Sequence, residues 1–115
     1  LMKPVLINGI DDLTARDDFL DRALIINLPT IESRKTGEEI TKAFKEDEPR
    51  ILGGLLSCVS YCLKHYKDSK YKSLDLPRMA DFTKFIAPLS ECLGLNQSLP
   101  EIYNKNRLEI LDNLV

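Results

Sequence analysis

Ala23-Leu24-Ile25-Ile26-Asn27-Leu28 is apolar at five of six positions and is stopped by Pro29. Apolar residues on both faces of a short run are expected of a strand covered on both sides, as in the sheet of an α/β protein. Upstream, Pro4-Val5-Leu6-Ile7-Asn8-Gly9-Ile10 reads the same way, an apolar run that ends in an Asn-Gly turn. Between the two lies a charged connection with Asp11, Asp12, Asp17, Asp18 and Asp21 against Arg16 and Arg22, in which Phe19 and Leu20 suggest a short helix.

After Pro29 the pattern changes to a period of 3.6, so the remainder is expected to be helical. Thr36 followed by Glu39 forms a capping box for a first helix carrying Ile40, Ala43 and Phe44, with Pro49 as its break. A second helix, from Pro49 to about Tyr66, holds Leu52, Leu55, Leu56, Val59, Cys62 and Leu63 and is expected to be the buried centre of a bundle. The third opens at Leu76-Pro77-Arg78, carries Met79, Phe82, Ile86, Leu89 and Leu93, is kinked by Pro88 and is closed by Gly94. A fourth starts near Ser98 with Leu99, Ile102, Tyr103, Ile110, Leu111 and Leu114. The expected fold is therefore mainly α, two short strands followed by a four-helix bundle.

The chain has 115 residues with 16 Lys and Arg against 18 Asp and Glu. A net charge of −2 excludes a strongly basic nucleic-acid coat protein and an acidic tail. No apolar run approaches the roughly 20 residues of a membrane span and no secretory leader opens the chain, which points to the cytoplasm. Three Cys in that setting read as reduced thiols. A first residue Leu1, directly before a strand pattern, suggests a piece of something longer.

Cys58, Cys62 and His65 share one helical face at i, i+4 and i+7, and Cys92 could complete a zinc set. The spacing differs from the usual short Cys-x-x-Cys loops, so buried thiols are the simpler reading and no metal is expected. A thiolate–imidazolium pair of Cys58 or Cys62 with His65 is weakened by the apolar surroundings, which raise a thiol pKa. The aspartates lack the spacing of a calcium loop. Lys64, Lys67, Lys70, Lys72 and Arg78, with Tyr61, Tyr66 and Tyr71 interleaved, could follow a nucleic-acid backbone and stack bases, or could simply be a solvated turn. Neither Gly-x4-Gly-Lys-Ser/Thr nor a strand ending in paired acids is present.

Leu6-Ile7-Asn8-Gly9-Ile10, Arg16-Asp17-Asp18-Phe19-Leu20-Asp21-Arg22-Ala23-Leu24 and Leu76-Pro77-Arg78-Met79-Ala80-Asp81-Phe82, in that order, resemble the C-terminal part of P-loop ATPases of the AAA+ type. More narrowly they are similar to ATP-binding primase- or helicase-associated proteins of phages and mobile elements, and the resemblance spans essentially the whole chain. It implies that Asn8 is the sensor 1 residue placing the attacking water. It also implies that Arg22, with Arg16 as second choice, is an arginine finger offered to a neighbouring subunit, and that Arg78 is the sensor 2 arginine reaching the nucleotide phosphates. A near-identical Pro-Arg-Ile-Ala string in Holliday-junction branch-migration motors supports the last assignment.

The same resemblance divides the chain into residues 1–30, the end of an α/β P-loop ATPase sheet, and residues 31–115, a helical lid. The intact protein would then hydrolyse ATP with Mg and act on DNA. This chain, lacking the phosphate loop, would be inactive alone and would bind no cofactor. Its implied partners are the remainder of the ATPase core, like subunits and DNA, without a membrane. The alternative is a stand-alone helical protein- or DNA-binding module with no nucleotide role.

Overall fold

A computed structural model describes residues 3–9, 17–72, 74, 76 and 78–113. In order these form α1 (Asp17–Leu20), α2 (Gly37–His65), a 3-10 turn (Ser69–Tyr71), α3 (Ala80–Ile86), α4 (Leu89–Cys92) and α5 (Leu99–Asn113). Among the described residues there is no strand, so the two expected strands and the sheet they implied are overturned. Val5, Leu6 and Ile7 are exposed. From Asp21 to Ile26 residues alternate between half-buried and exposed, the pattern of an extended chain lying on a support. That support is a helix: the main chain of Ile25 bonds to the side chain of Asn106 in α5. An apolar run becomes a strand only when a second strand satisfies its backbone, and neither run meets one here.

The helical count also differs, with three principal helical segments in place of four. α2 starts as the capping box requires, with Thr36 Oγ1 accepting from the Glu39 amide and Glu39 Oε2 accepting from the Thr36 amide. It then runs straight through Pro49, merging the first two expected helices into 29 residues. A proline removes one backbone hydrogen bond and crowds the preceding turn, at a cost of about 3 kcal/mol. Ending the helix there would instead require a second nucleus and new caps, whereas running on adds one bond per residue to a nucleus already formed.

α2 packs on α3 and α4, and α3 packs on α5. Only the face of α2 bearing Cys58 and Cys62 is covered, and Cys62 is its one buried residue. Leu52, Leu55, Leu56, Val59 and Leu63 are all exposed, which corrects the expectation of a buried central helix.

Pro88 breaks the third expected helix into α3 and α4, and Pro88 is itself fully buried. Thr83, also fully buried, satisfies its hydroxyl by donating to the Met79 carbonyl at 2.9 Å. Gly94 ends α4 at φ 65°. There Gly94 N–H bonds to Glu91 O and Leu95 N–H to Ser90 O, a left-handed cap that a β-carbon would strain. Ser98 starts α5 by accepting from the Glu101 amide, and Ser90 Oγ accepts from the Leu99 amide at 2.7 Å, tying α5 to α4. The core is small: Cys62, Tyr71, Ala87 and Tyr103 are its buried apolar members among the described residues.

Candidate functional site

Residues three and four apart share a helix face, so Tyr103, Asn106 and Arg107 project together from α5. Each takes hold of the extended segment after α1. The buried Tyr103 donates its hydroxyl to the Asp21 carbonyl at 3.1 Å. Asn106 Nδ2 donates to the Ile25 carbonyl at 2.8 Å while its Oδ1 accepts the Ile25 amide at 3.3 Å, so one side-chain amide imitates a neighbouring strand. Arg107 Nη2 lies 2.5 Å from Asp21 Oδ1. Burial pushes the Tyr103 hydroxyl above the ordinary tyrosine range, with the Arg107 cation pulling the other way.

Arg78, immediately before α3, brings a second guanidinium to the same carboxylate. Its Nη1 stands 3.9 Å from Asp21 Oδ2, an ion pair too long for a hydrogen bond, and its side chain is 53% exposed. Arg22, the next residue after Asp21, is exposed and makes no ion pair among the described residues. Asp21 is therefore shared by Arg107 and Arg78, two guanidinium groups on one carboxylate. Such a corner attracts anionic oxygen, and guanidinium is the side chain best shaped to grip phosphate or carboxylate.

Of the residues singled out in the sequence, Arg78 comes to this corner, and Arg22 follows Asp21 in the chain with its side chain exposed. Asn8 is exposed within the irregular segment 3–9 and lies at no strand end. Arg16 lies outside the described residues. Asp21, Tyr103, Asn106 and Arg107 carry the geometry and have no motif of their own. The one signal for them is a polar i, i+3, i+4 triplet inside an otherwise apolar helical pattern.

Among the described residues no group of His, Cys, Asp and Glu side chains is placed to hold a metal ion. His65 Nδ1 turns instead to Asp68 Oδ2 at 2.9 Å. Burial raises the Cys62 thiol above its usual range, with Cys92 and Cys58 adding to the effect, which disfavours the nucleophilic thiolate. No helix among the described residues is long and apolar enough to cross a membrane.

Asn106→Leu keeps the side-chain volume and removes both bonds to Ile25. Two hydrogen bonds of about 1 kcal/mol each predict that the Ile25 amide then exchanges with solvent at least about tenfold faster. Hydrogen exchange followed at single amides reads this directly, and unchanged protection would mean that packing alone holds the segment.

A family model described as actinomycete integrative conjugative element replication protein matches residues 1–111 of the chain. No curated protein and no solved structure matches it.

Proposed function

Since the chain belongs to the actinomycete integrative conjugative element replication protein family, we propose that it is the lid-side part of an ATP-hydrolysing replication protein. In this reading the arginine corner serves the nucleotide. The observation that carries it is Arg78, an exposed guanidinium held only loosely to a carboxylate that Arg107 already occupies. An arginine so placed costs little to swing toward a phosphate, because the Asp21 charge it leaves remains paired.

The residues present fit phosphate and do not fit magnesium. Asp21 is engaged by two cations, so Mg would be held by residues elsewhere in the protein. Arg78 would hold phosphate oxygens, Arg22 would face a neighbouring subunit, and Asn8, able both to donate and to accept, would orient a water. When bound, the nucleotide supplies a phosphoryl group whose charge these cations can share.

The exposed apolar surface supports a chain that works against a larger body. Its accessible area is 10159 Å², whereas a compact monomer of its 13.1 kDa mass exposes about 6,400 Å². The radius of gyration is 16.9 Å, against about 13 Å for a compact domain of this length. We assign Leu52, Leu55, Leu56 and the outward residues Leu24, Ile26 and Leu28 to the surface that meets the rest of the ATPase core, with like subunits beyond it.

Arg78→Ala in the intact replication protein is expected to lower ATP turnover by about 10²- to 10³-fold, the range for losing one preorganised donor to developing charge. Thermal stability should stay unchanged, because an exposed pair at 3.9 Å contributes little. Unchanged turnover would sink the nucleotide reading and favour a helical module with no nucleotide role.

A further inference from the structure

The end of α2 and the turn after it carry a charge that the net charge of −2 conceals. From Lys64 to Lys72 there are four lysines against Asp68 alone, while residues 38–50 hold five acids against three bases. Glu48 and Lys64 are sixteen residues apart on one helix, about 24 Å at 1.5 Å per residue. Screening at physiological salt acts over about 8 Å, so the acidic end does not neutralise the basic one.

Within the basic stretch the charges are not equally committed. Lys70 Nζ is bound to Glu91 Oε2 at 2.8 Å, and the Asp68 carboxylate is taken by His65. Lys64, Lys67 and Lys72 are exposed and make no ion pair among the described residues. Lys67 rests against the ring of Tyr66, 5.4 Å from its centroid, leaving its charge to solvent. Cations in a last helical turn favour the helix dipole, which accounts for Lys64. It does not account for Lys67 and Lys72, which lie beyond the helix end. On α2, Ser60 and Lys64, one turn apart, line a shallow hollow with Tyr61 and His65, so a hydroxyl and an ammonium open onto the same surface.

The aromatic residues decide which polyanion fits. Stacking of unpaired bases needs a free ring face, and here Tyr66 lies on Phe85 at 5.7 Å and Tyr61 on His65 at 4.4 Å between centroids. The three lysines carry charge that no carboxylate neutralises among the described residues, Lys67 having only its contact with the Tyr66 ring, while the rings of Tyr61 and Tyr66 are partnered, an arrangement suited to a phosphate backbone whose bases stay paired. We propose that Lys64, Lys67 and Lys72 form a sequence-independent contact for the backbone of duplex DNA, each neutralising a phosphate. The inference rests on the replication role of the family and is independent of the nucleotide reading, since none of these residues lies at the arginine corner.

Fluorescence anisotropy with a labelled duplex of about 20 base pairs, titrated between about 50 and 200 mM salt, tests it on the chain as it stands. Three phosphate contacts predict a slope of log affinity against log salt near −2.7, at about −0.9 for each phosphate. Replacing the three lysines together (K64Q, K67Q and K72Q) is expected to weaken binding at least tenfold and bring the slope close to zero. The pair K42Q and K45Q, at the acidic end of α2, is expected to leave both unchanged. Equal loss in the two variants, an unchanged slope in the triple variant, or preference for a single strand of the same length would each overturn the proposal. ATP turnover of the intact protein should be unaffected by the triple variant without DNA, so a failure here remains separable from a failure at Arg78.

Discussion

If the proposed nucleotide role holds, Arg22→Ala in the intact replication protein is expected to lower ATP turnover by about 10³-fold, the lower end of the range for an arginine that stabilises the charge of a transferring phosphoryl group. Stability should hardly change. The side chain is exposed and makes no ion pair among the described residues, and substitutions at such positions usually stay within about 0.5 kcal/mol. A large kinetic effect without a stability effect would separate a residue that acts on a neighbour from one that holds its own fold. The decisive measurement is a mixture, because a finger serves the nucleotide of the adjoining subunit. Arg22→Ala protein combined with protein disabled in its own phosphate loop should recover part of the activity, since mixed interfaces then contain one intact finger facing one intact loop. No recovery would leave Arg22 as a surface charge and pass the question to Arg16, for which the same mixing applies.

What could be read from the sequence was what the chain settles locally. Thr36 and Glu39 satisfy each other across three residues, and Gly94 closes α4 through bonds to Ser90 and Glu91, so the capping box and the terminator are present in the text itself. Pro49 is local too and still misled, because the cost of one proline was set against nothing. In a helix that already has its nucleus and continues for sixteen residues beyond, stopping costs more than the lost hydrogen bond.

The strands and the site failed for a different reason. Apolar runs report that a segment seeks cover and say nothing of what covers it, and the backbone of Ile25 is satisfied by a side chain 81 residues away. Arg78 likewise has Asp81 close by in sequence and yet pairs with Asp21, brought to it when α5 binds the segment after α1. Long-range partners of single polar groups leave no periodicity. Tyr103 was legible as part of an apolar stripe, and its hydroxyl, which joins the stripe to the arginine corner, was not.

That hydroxyl and ring carry a large stability effect. Tyr103 is 3% exposed, and deleting a buried aromatic side chain costs about 3–5 kcal/mol in lost transfer energy and residual cavity. Domains are stable by only about 5–15 kcal/mol, and one with so few buried apolar residues stands near the lower end, so Tyr103→Ala should leave a large unfolded population at 37 °C. Tyr103→Phe keeps the ring and removes only the bond to the Asp21 carbonyl, which predicts a loss of about 1 kcal/mol. Urea denaturation followed by circular dichroism separates the two, and equal losses would mean that the hydrogen bond outweighs the packing. The phenylalanine variant also tests how the fold serves the corner. With the hydroxyl gone, Asn106 and Arg107 still hold the segment, so the helices should persist while Asp21 loosens between its two arginines. If the corner acts on a nucleotide, Tyr103→Phe should reduce turnover more than its stability loss explains, because Arg78 is held through Asp21.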